Sequence, residues 1–109
     1  MATATPEARP ADETETVTRR QPPYAVVIHN DDVNGADFVV VVLRKVFGYD
    51  VPKCVELMTE AHETGRAVVW VGALEVAELK ADQIKSCGPD PRQRDAGAAP
   101  LGVTVEPAA

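Results

Sequence analysis

Apolar positions along this chain change their period several times, and each change marks an element. Tyr24-Ala25-Val26-Val27-Ile28-His29 is a short apolar run with β-branched residues, which suits a buried strand. It stops at Asn30-Asp31-Asp32, whose polar side chains compete for backbone hydrogen bonds and favour a turn. Val39-Val40-Val41-Val42 alone would read as another strand. However, Phe38/Val42/Val46 and Val39/Leu43/Phe47 each repeat at i, i+4, the spacing of a helix that buries one broad face. Asn34 is available as an N-cap, Asp37 suits the positive end of the helix dipole, and Arg44 and Lys45 suit its negative end. The expectation is therefore a helix.

A second helix is bounded by Asp50 as cap, Pro52 in the first turn, where a missing N–H costs nothing, and Gly65 at the close. Val51, Val55, Leu57, Met58 and Ala61 form its apolar stripe. Arg66 to Val71 reads as a second β-branched strand, and Leu74 to Lys85 as a third helix ended by Gly88-Pro89. A loop rich in Asp, Arg, Gly, Ala and Pro spans Pro89 to Pro100. Leu101 to Glu106 then alternates apolar and polar residues like a half-exposed strand. The order β-α-α-β-α-β predicts a small α/β (α+β) domain over residues 24–106, with a three-stranded antiparallel sheet packed against three helices. Residues 1–23, rich in Ala, Thr, Glu and Pro, show no apolar period. They are expected to form a disordered tail, because they cannot bury enough surface to offset the entropy of ordering.

Composition narrows the function. A chain of 109 residues holds one domain, and its net charge of -6 argues against nucleic acid, which would need clustered Lys and Arg. The same charge favours a cationic partner such as a protonated amine. Cys54 and Cys87 are too few for a disulfide framework and match no zinc pattern, so a reduced cytoplasm is their expected setting. The longest apolar stretch, Phe38 to Leu43, is too short for a membrane span, and the N-terminus lacks the apolar core of a secretory signal.

The side chains best placed for chemistry are Asn30-Asp31-Asp32 and His62. His62 follows Met58 by four residues, so both lie on one helix face. Taken alone, His62 also fits a helix-edge histidine with a partly packed ring, and Asn30-Asp31-Asp32 also fits a plain turn. Catalysis is not expected. Cys54 and His62 are eight helical residues apart, about 12 Å along the axis, too far for a nucleophile and its base. His29, Asp31, Asp32 and His62 match no metal motif, and the chain has no Gly-rich phosphate loop, so neither metal nor cofactor is expected.

Val27-Ile28-His29-Asn30-Asp31-Asp32, Phe38-Val39 and Phe47-Gly48-Tyr49-Asp50-Val51 together resemble the ClpS adaptors of bacterial ATP-dependent Clp proteases. Leu57-Met58, Ala61-His62, Gly65-Arg66-Ala67, Glu75 to Glu78 with Lys80, and Pro100-Leu101 with Thr104 to Glu106 continue the resemblance. It implies an adaptor that binds N-degrons, proteins whose first residue is Leu, Phe, Tyr or Trp, and delivers them to the ClpA unfoldase; a monomer is the default expectation for the chain. By that resemblance Asn30, Asp31 and neutral His62 receive the free α-amino group. Asn34, Ala36, Val39, Met58, Ala61 and Leu101 form the pocket for the first side chain, although the spacing of Val39, Met58 and Leu101 alone would mark them as core. Glu75 and Lys80, otherwise an ordinary solvated helix face, meet the unfoldase, and the tail enters or obstructs its channel. A stand-alone module that binds peptide N-termini without a protease is the alternative.

The pattern departs from the family at several positions. Methionine is frequent at Ala36, where it gates the pocket, valine at Ala61 and threonine at Asn34. The loop from Pro89 to Ala99 is longer than in compact members. A roomier pocket that discriminates less against β-branched or larger first residues is expected. Protonated His62 would face a cation as a donor, so binding is expected to weaken as pH falls through about 6.

Overall fold

The structure, a computed structural model, describes residues 22–108; residues 1–21, most of the expected tail, lie outside them. The elements in order are β1 (Tyr24–His29), α1 (Ala36–Phe47), α2 (Val51–Thr64), β2 (Arg66–Gly72), α3 (Leu74–Ser86), a short 3₁₀ helix (Pro91–Ala96) and β3 (Val103–Pro107). The three strands form one antiparallel sheet in the order β2-β1-β3, so the first strand of the chain lies at the centre. In this strand Ala25, Val26, Val27 and Ile28 are all buried, without alternation. The β1–β2 register slips between Val26 and Val27, leaving Val69 as the extra residue of a bulge with its side chain still buried.

Val26 and Ile28 meet Val42 and Leu43 of α1, Cys54, Leu57 and Ala61 of α2, and Ala77, Ala81 and Ile84 of α3 in one core. Each fully buried Ile or Leu among them contributes about 1.5–3 kcal/mol relative to its exposed state. The valine run 39–42 is helical, as its i, i+4 spacing predicts, and only Val41 of that run is well exposed. α2 follows its sequence signals closely. The Asp50 side chain accepts from the Lys53 N–H, Pro52 lies in the first turn, and Gly65 ends the helix at φ 94°, a left-handed conformation that glycine adopts without strain.

Four local expectations are corrected. Asn34 does not cap α1; Gly35 stands at the N-cap without a side-chain cap bond, because the Asn34 amide is committed to long-range partners described below. Val51 and Val55 are exposed rather than part of the α2 core stripe, and Cys54 takes the inward position with Leu57 and Ala61. The residues from Pro89 to Pro100 are not all irregular, since Asp90 and Pro91 start a 3₁₀ helix. The last strand begins at Val103, two residues later than the alternation suggests.

Candidate functional site

Two backbone hydrogen bonds at the end of β1 build the site. The His29 N–H donates to the Gly102 carbonyl at 2.9 Å, drawing the segment that carries Leu101 to one side. The Asn30 N–H donates to the Gly65 carbonyl at 3.0 Å, drawing the C-terminal end of α2 to the other. A cleft enclosing about 400 Å³ of empty space, including its open mouth, lies where these segments meet the first turn of α1. Val39, Met58, Ala61 and Leu101 line it, with Ala36 exposed beside them, while Asn30, Asp31 and His62 supply polar groups. All nine residues expected at the amine site and pocket line this one cleft: Asn30, Asp31, Asn34, Ala36, Val39, Met58, Ala61, His62 and Leu101. Sequence reasoning left out Ile28, which also lines the cleft as the last inward residue of β1, and did not place His29 there.

Three of the polar residues differ in how they are held. Asn30 and His62 are exposed. Asp31 is half-buried and already accepts three hydrogen bonds: its Oδ1 from the Val33 and Asn34 N–H groups at 2.9 and 2.6 Å, its Oδ2 from the Asn34 amide at 2.8 Å. Burial pushes the Asp31 carboxyl up, but these bonds outweigh it and hold it below its ordinary value. Asp31 therefore fixes the loop after β1 and keeps an ionised carboxylate beside Asn30.

Asn34 is the hub of this loop. Its Nδ2 donates to Asp31 and, at 2.8 Å, to the Ala99 carbonyl, and its Oδ1 accepts from the Asp90 N–H at 2.8 Å. Asp90 is 1% exposed and returns the connection: its Oδ2 accepts from the Gly35 N–H at 3.1 Å and its Oδ1 from the Arg92 N–H at 3.0 Å. The residue just before α1 is thus tied to a carboxylate 55 positions away in sequence. Burial raises the Asp90 carboxyl, yet the Arg92 and Gly35 N–H bonds and the Arg92 charge bring it net below its ordinary value. Asp90 was not foreseen as part of the site, although Asp90-Pro91 repeats the pairing of an acidic cap with an early proline seen at the start of α2.

Glu75 and Lys80 lie on α3, and neither lines the cleft. Glu75 is exposed, whereas half-buried Lys80 donates to the Val46 carbonyl at 3.1 Å and lies 5.6 Å from the centre of the Phe47 ring. Cys54 is buried, and desolvation pushes its thiol up, away from the reactive thiolate. Among the described residues no group of three His, Cys, Asp or Glu side chains could hold a metal ion, and no helix is long and apolar enough to cross a membrane.

Comparison with known proteins agrees with this architecture. The family model for the ATP-dependent Clp protease adaptor protein ClpS matches residues 19–103. The ClpS adapter proteins of Vibrio atlanticus and Pectobacterium carotovorum subsp. carotovorum are 39% and 44% identical over 69 and 66 residues. Those alignments cover 62% and 59% of this chain, and 65% and 62% of the relatives, a little under two thirds of each. A structure of Agrobacterium tumefaciens ClpS2 bound to L-phenylalaninamide superposes with a TM-score of 0.69 at 38% identity, covering 81% of this chain and 99% of that one. With its central β1, its three helices and the family model matched over most of its length, this chain belongs to the ClpS family of Clp protease adaptors.

Proposed function

We propose that this chain binds the free α-amino group and bulky apolar first residue of other proteins in the cleft between β1, α1 and α2, and delivers them to a ClpA-type unfoldase. One observation carries the reading: a cleft with apolar walls has exposed Asn30 and His62 at its polar side, and a relative at 38% identity is bound to L-phenylalaninamide, a molecule with a free amine and a phenyl ring. The physics suits that ligand. An α-amino group with pKa near 8 is mostly charged at neutral pH and needs acceptors once water is removed. The Asn30 side-chain oxygen and a His62 ring nitrogen supply acceptors, while ionised Asp31 supplies opposite charge nearby. The walls of Val39, Met58, Ala61 and Leu101 take the first side chain. An internal residue has no amine to offer and would leave the polar groups unpaired, a penalty of about 1–3 kcal/mol each.

Delivery runs through α3, whose exposed Glu75 does not line the cleft. The chain acts as an adaptor and not as a catalyst. Ala36 leaves the mouth open where a larger side chain would narrow it, so Ile-first peptides compete with Phe- and Leu-first peptides more closely than a gated cleft would allow. Fluorescence anisotropy with a Phe-first peptide and its N-acetylated twin tests the reading directly. Binding of the free amine alone supports it; equal or absent binding of the two sinks it.

A further inference from the structure

Ala36, the exposed residue of α1 at the cleft, carries only a methyl group, so the backbone behind it sets how wide that side of the cleft stands. No residue of that first turn, Ala36 to Val39, is buried, and the buried positions of the helix begin at Val42. Full apolar burial therefore holds the middle of α1 and not its start. The start is held by polar ties to the segment after α3. The Gly35 N–H donates to Asp90 Oδ2 at 3.1 Å, and the Asp90 N–H donates to Asn34 Oδ1 at 2.8 Å. Arg92 lies 3.6 Å from Asp90 and 3.7 Å from Asp37. Residues 34, 35 and 37, on either side of Ala36, are thus all gripped from Asp90 and the 3₁₀ helix that it opens. Asn34 and Ala36 line the cleft, whereas Asp90 and Arg92 do not, so Asp90 reaches a ligand only through the start of α1. We infer that Asp90 is a positioning residue for ligand binding: by holding Asn34 and Gly35 it fixes the wall of the cleft at Ala36 and thereby the choice among first side chains.

This inference rests on the amine-binding reading above. An apolar pocket separates side chains that differ by a methylene or a branch only when its walls are held to a fraction of an ångström. Two substitutions disturb the tie from opposite sides. Asp90→Ala removes the carboxylate that accepts from Gly35 and leaves the Asn34 lining residue with its own bond to the Asp90 N–H. Gly35→Ala removes no hydrogen-bonding group. Gly35 has φ −71°, which alanine adopts freely, but its Cβ would lie 3.1 Å from Asp90 Oδ2 and 3.7 Å from Arg92 Nη2. The first turn and the 3₁₀ segment then have to part by a few tenths of an ångström.

The test is anisotropy on the full chain with peptides beginning Phe, Leu, Ile and Trp, each with its N-acetylated twin, in the parent, Asp90→Ala and Gly35→Ala. Urea unfolding of the same samples reports whether each variant is folded. The expected result is a change of about threefold or more in the ratio of Phe-first to Ile-first affinity in both variants, with the free amine still required. A merely structural role cannot produce that change, because a smaller folded fraction weakens every peptide by the same factor. Equal proportional losses for all four peptides, or a ratio within about 1.5-fold of the parent in the folded variants, overturn the positioning role and leave amine recognition standing. If Asp90→Ala does not fold, Gly35→Ala decides the question by the same criterion. Acetylated twins that bind as well as the free amines in the parent remove the amine-binding reading itself.

Discussion

Replacing Asn34 is the most informative perturbation of the fold around the cleft. Asn34 is 8% exposed and its amide makes three side-chain hydrogen bonds, to Asp31, to the Ala99 carbonyl and from the Asp90 N–H. Asn34→Ala leaves the buried Asp90 N–H without a partner, at about 1–3 kcal/mol, and removes two part-buried bonds, at about 0.5–1.5 kcal/mol each. A total near 3 kcal/mol is a large share of the roughly 5–15 kcal/mol that holds a small domain together, and corresponds to a fall in Tm of about 15 °C. Asn34→Thr is the sharper comparison, because threonine is shorter and has one donor against the two that Asn34 uses. It should recover no more than one of the donated bonds and lose about 2 kcal/mol. Urea unfolding followed by Trp70 fluorescence would read both variants, with an unchanged m-value expected if only the folded state is affected. If Asn34→Ala and Asn34→Thr both unfold within about 0.5 kcal/mol of the parent, the network does not stabilise the loop and the reasoning fails.

Three further outcomes are expected. Asp31 and Asp90 both ionise below the ordinary 3.8 in the folded chain, so their stabilisation is fully present above pH 3.8 and is lost as pH falls through their lower native values. Acid titration of Tm should break below about pH 4, with a smaller drop in Asp31→Asn; an unchanged drop in that variant would place the acid sensitivity elsewhere. His62 is exposed, so His62→Ala should change stability by less than about 0.5 kcal/mol yet weaken a Phe-first peptide about tenfold, the equivalent of one lost hydrogen bond to a charged group. Unaltered affinity would remove His62 from the amine site. Leu101 is 3% exposed and lines the cleft, so Leu101→Ala should cost about 2–3 kcal/mol by calorimetry and enlarge the pocket, shifting preference from Leu-first toward Trp-first peptides. An unchanged preference would mean that Leu101 serves the core and not the pocket.

Much of the fold is legible locally. Tyr24 to His29, with its unbroken apolar run, reads as a buried strand, and Asp50, Pro52 and Gly65 mark α2 because capping depends on neighbours within four residues. The valine run in α1 was resolved by counting its i, i+4 pairs, since α1 is amphipathic even though four consecutive valines favour strand. The cleft residues were legible for a different reason: their motifs resemble a family, and no spacing rule by itself separates Met58 or Leu101 as pocket wall from Met58 or Leu101 as core.

What the chain determined unaided is the order and type of its elements, because backbone propensity, capping and apolar period act over a few residues. Tertiary structure alone decided which partners those elements found. Asn34 looked like a local cap, yet its amide reaches 56 positions forward to Asp90, and Asp90 in turn accepts from the N–H of Gly35 at the start of α1. Val51 and Val55 looked like core and stayed in water, because the orientation of α2 against β2 turns Cys54, Leu57 and Ala61 inward instead. The cleft itself exists only because β1 pairs on both edges, so that Gly65 and Gly102 bond to adjacent residues at its end. Long-range hydrogen bonds and helix orientation depend on how elements pack in three dimensions, and no period along one element records them.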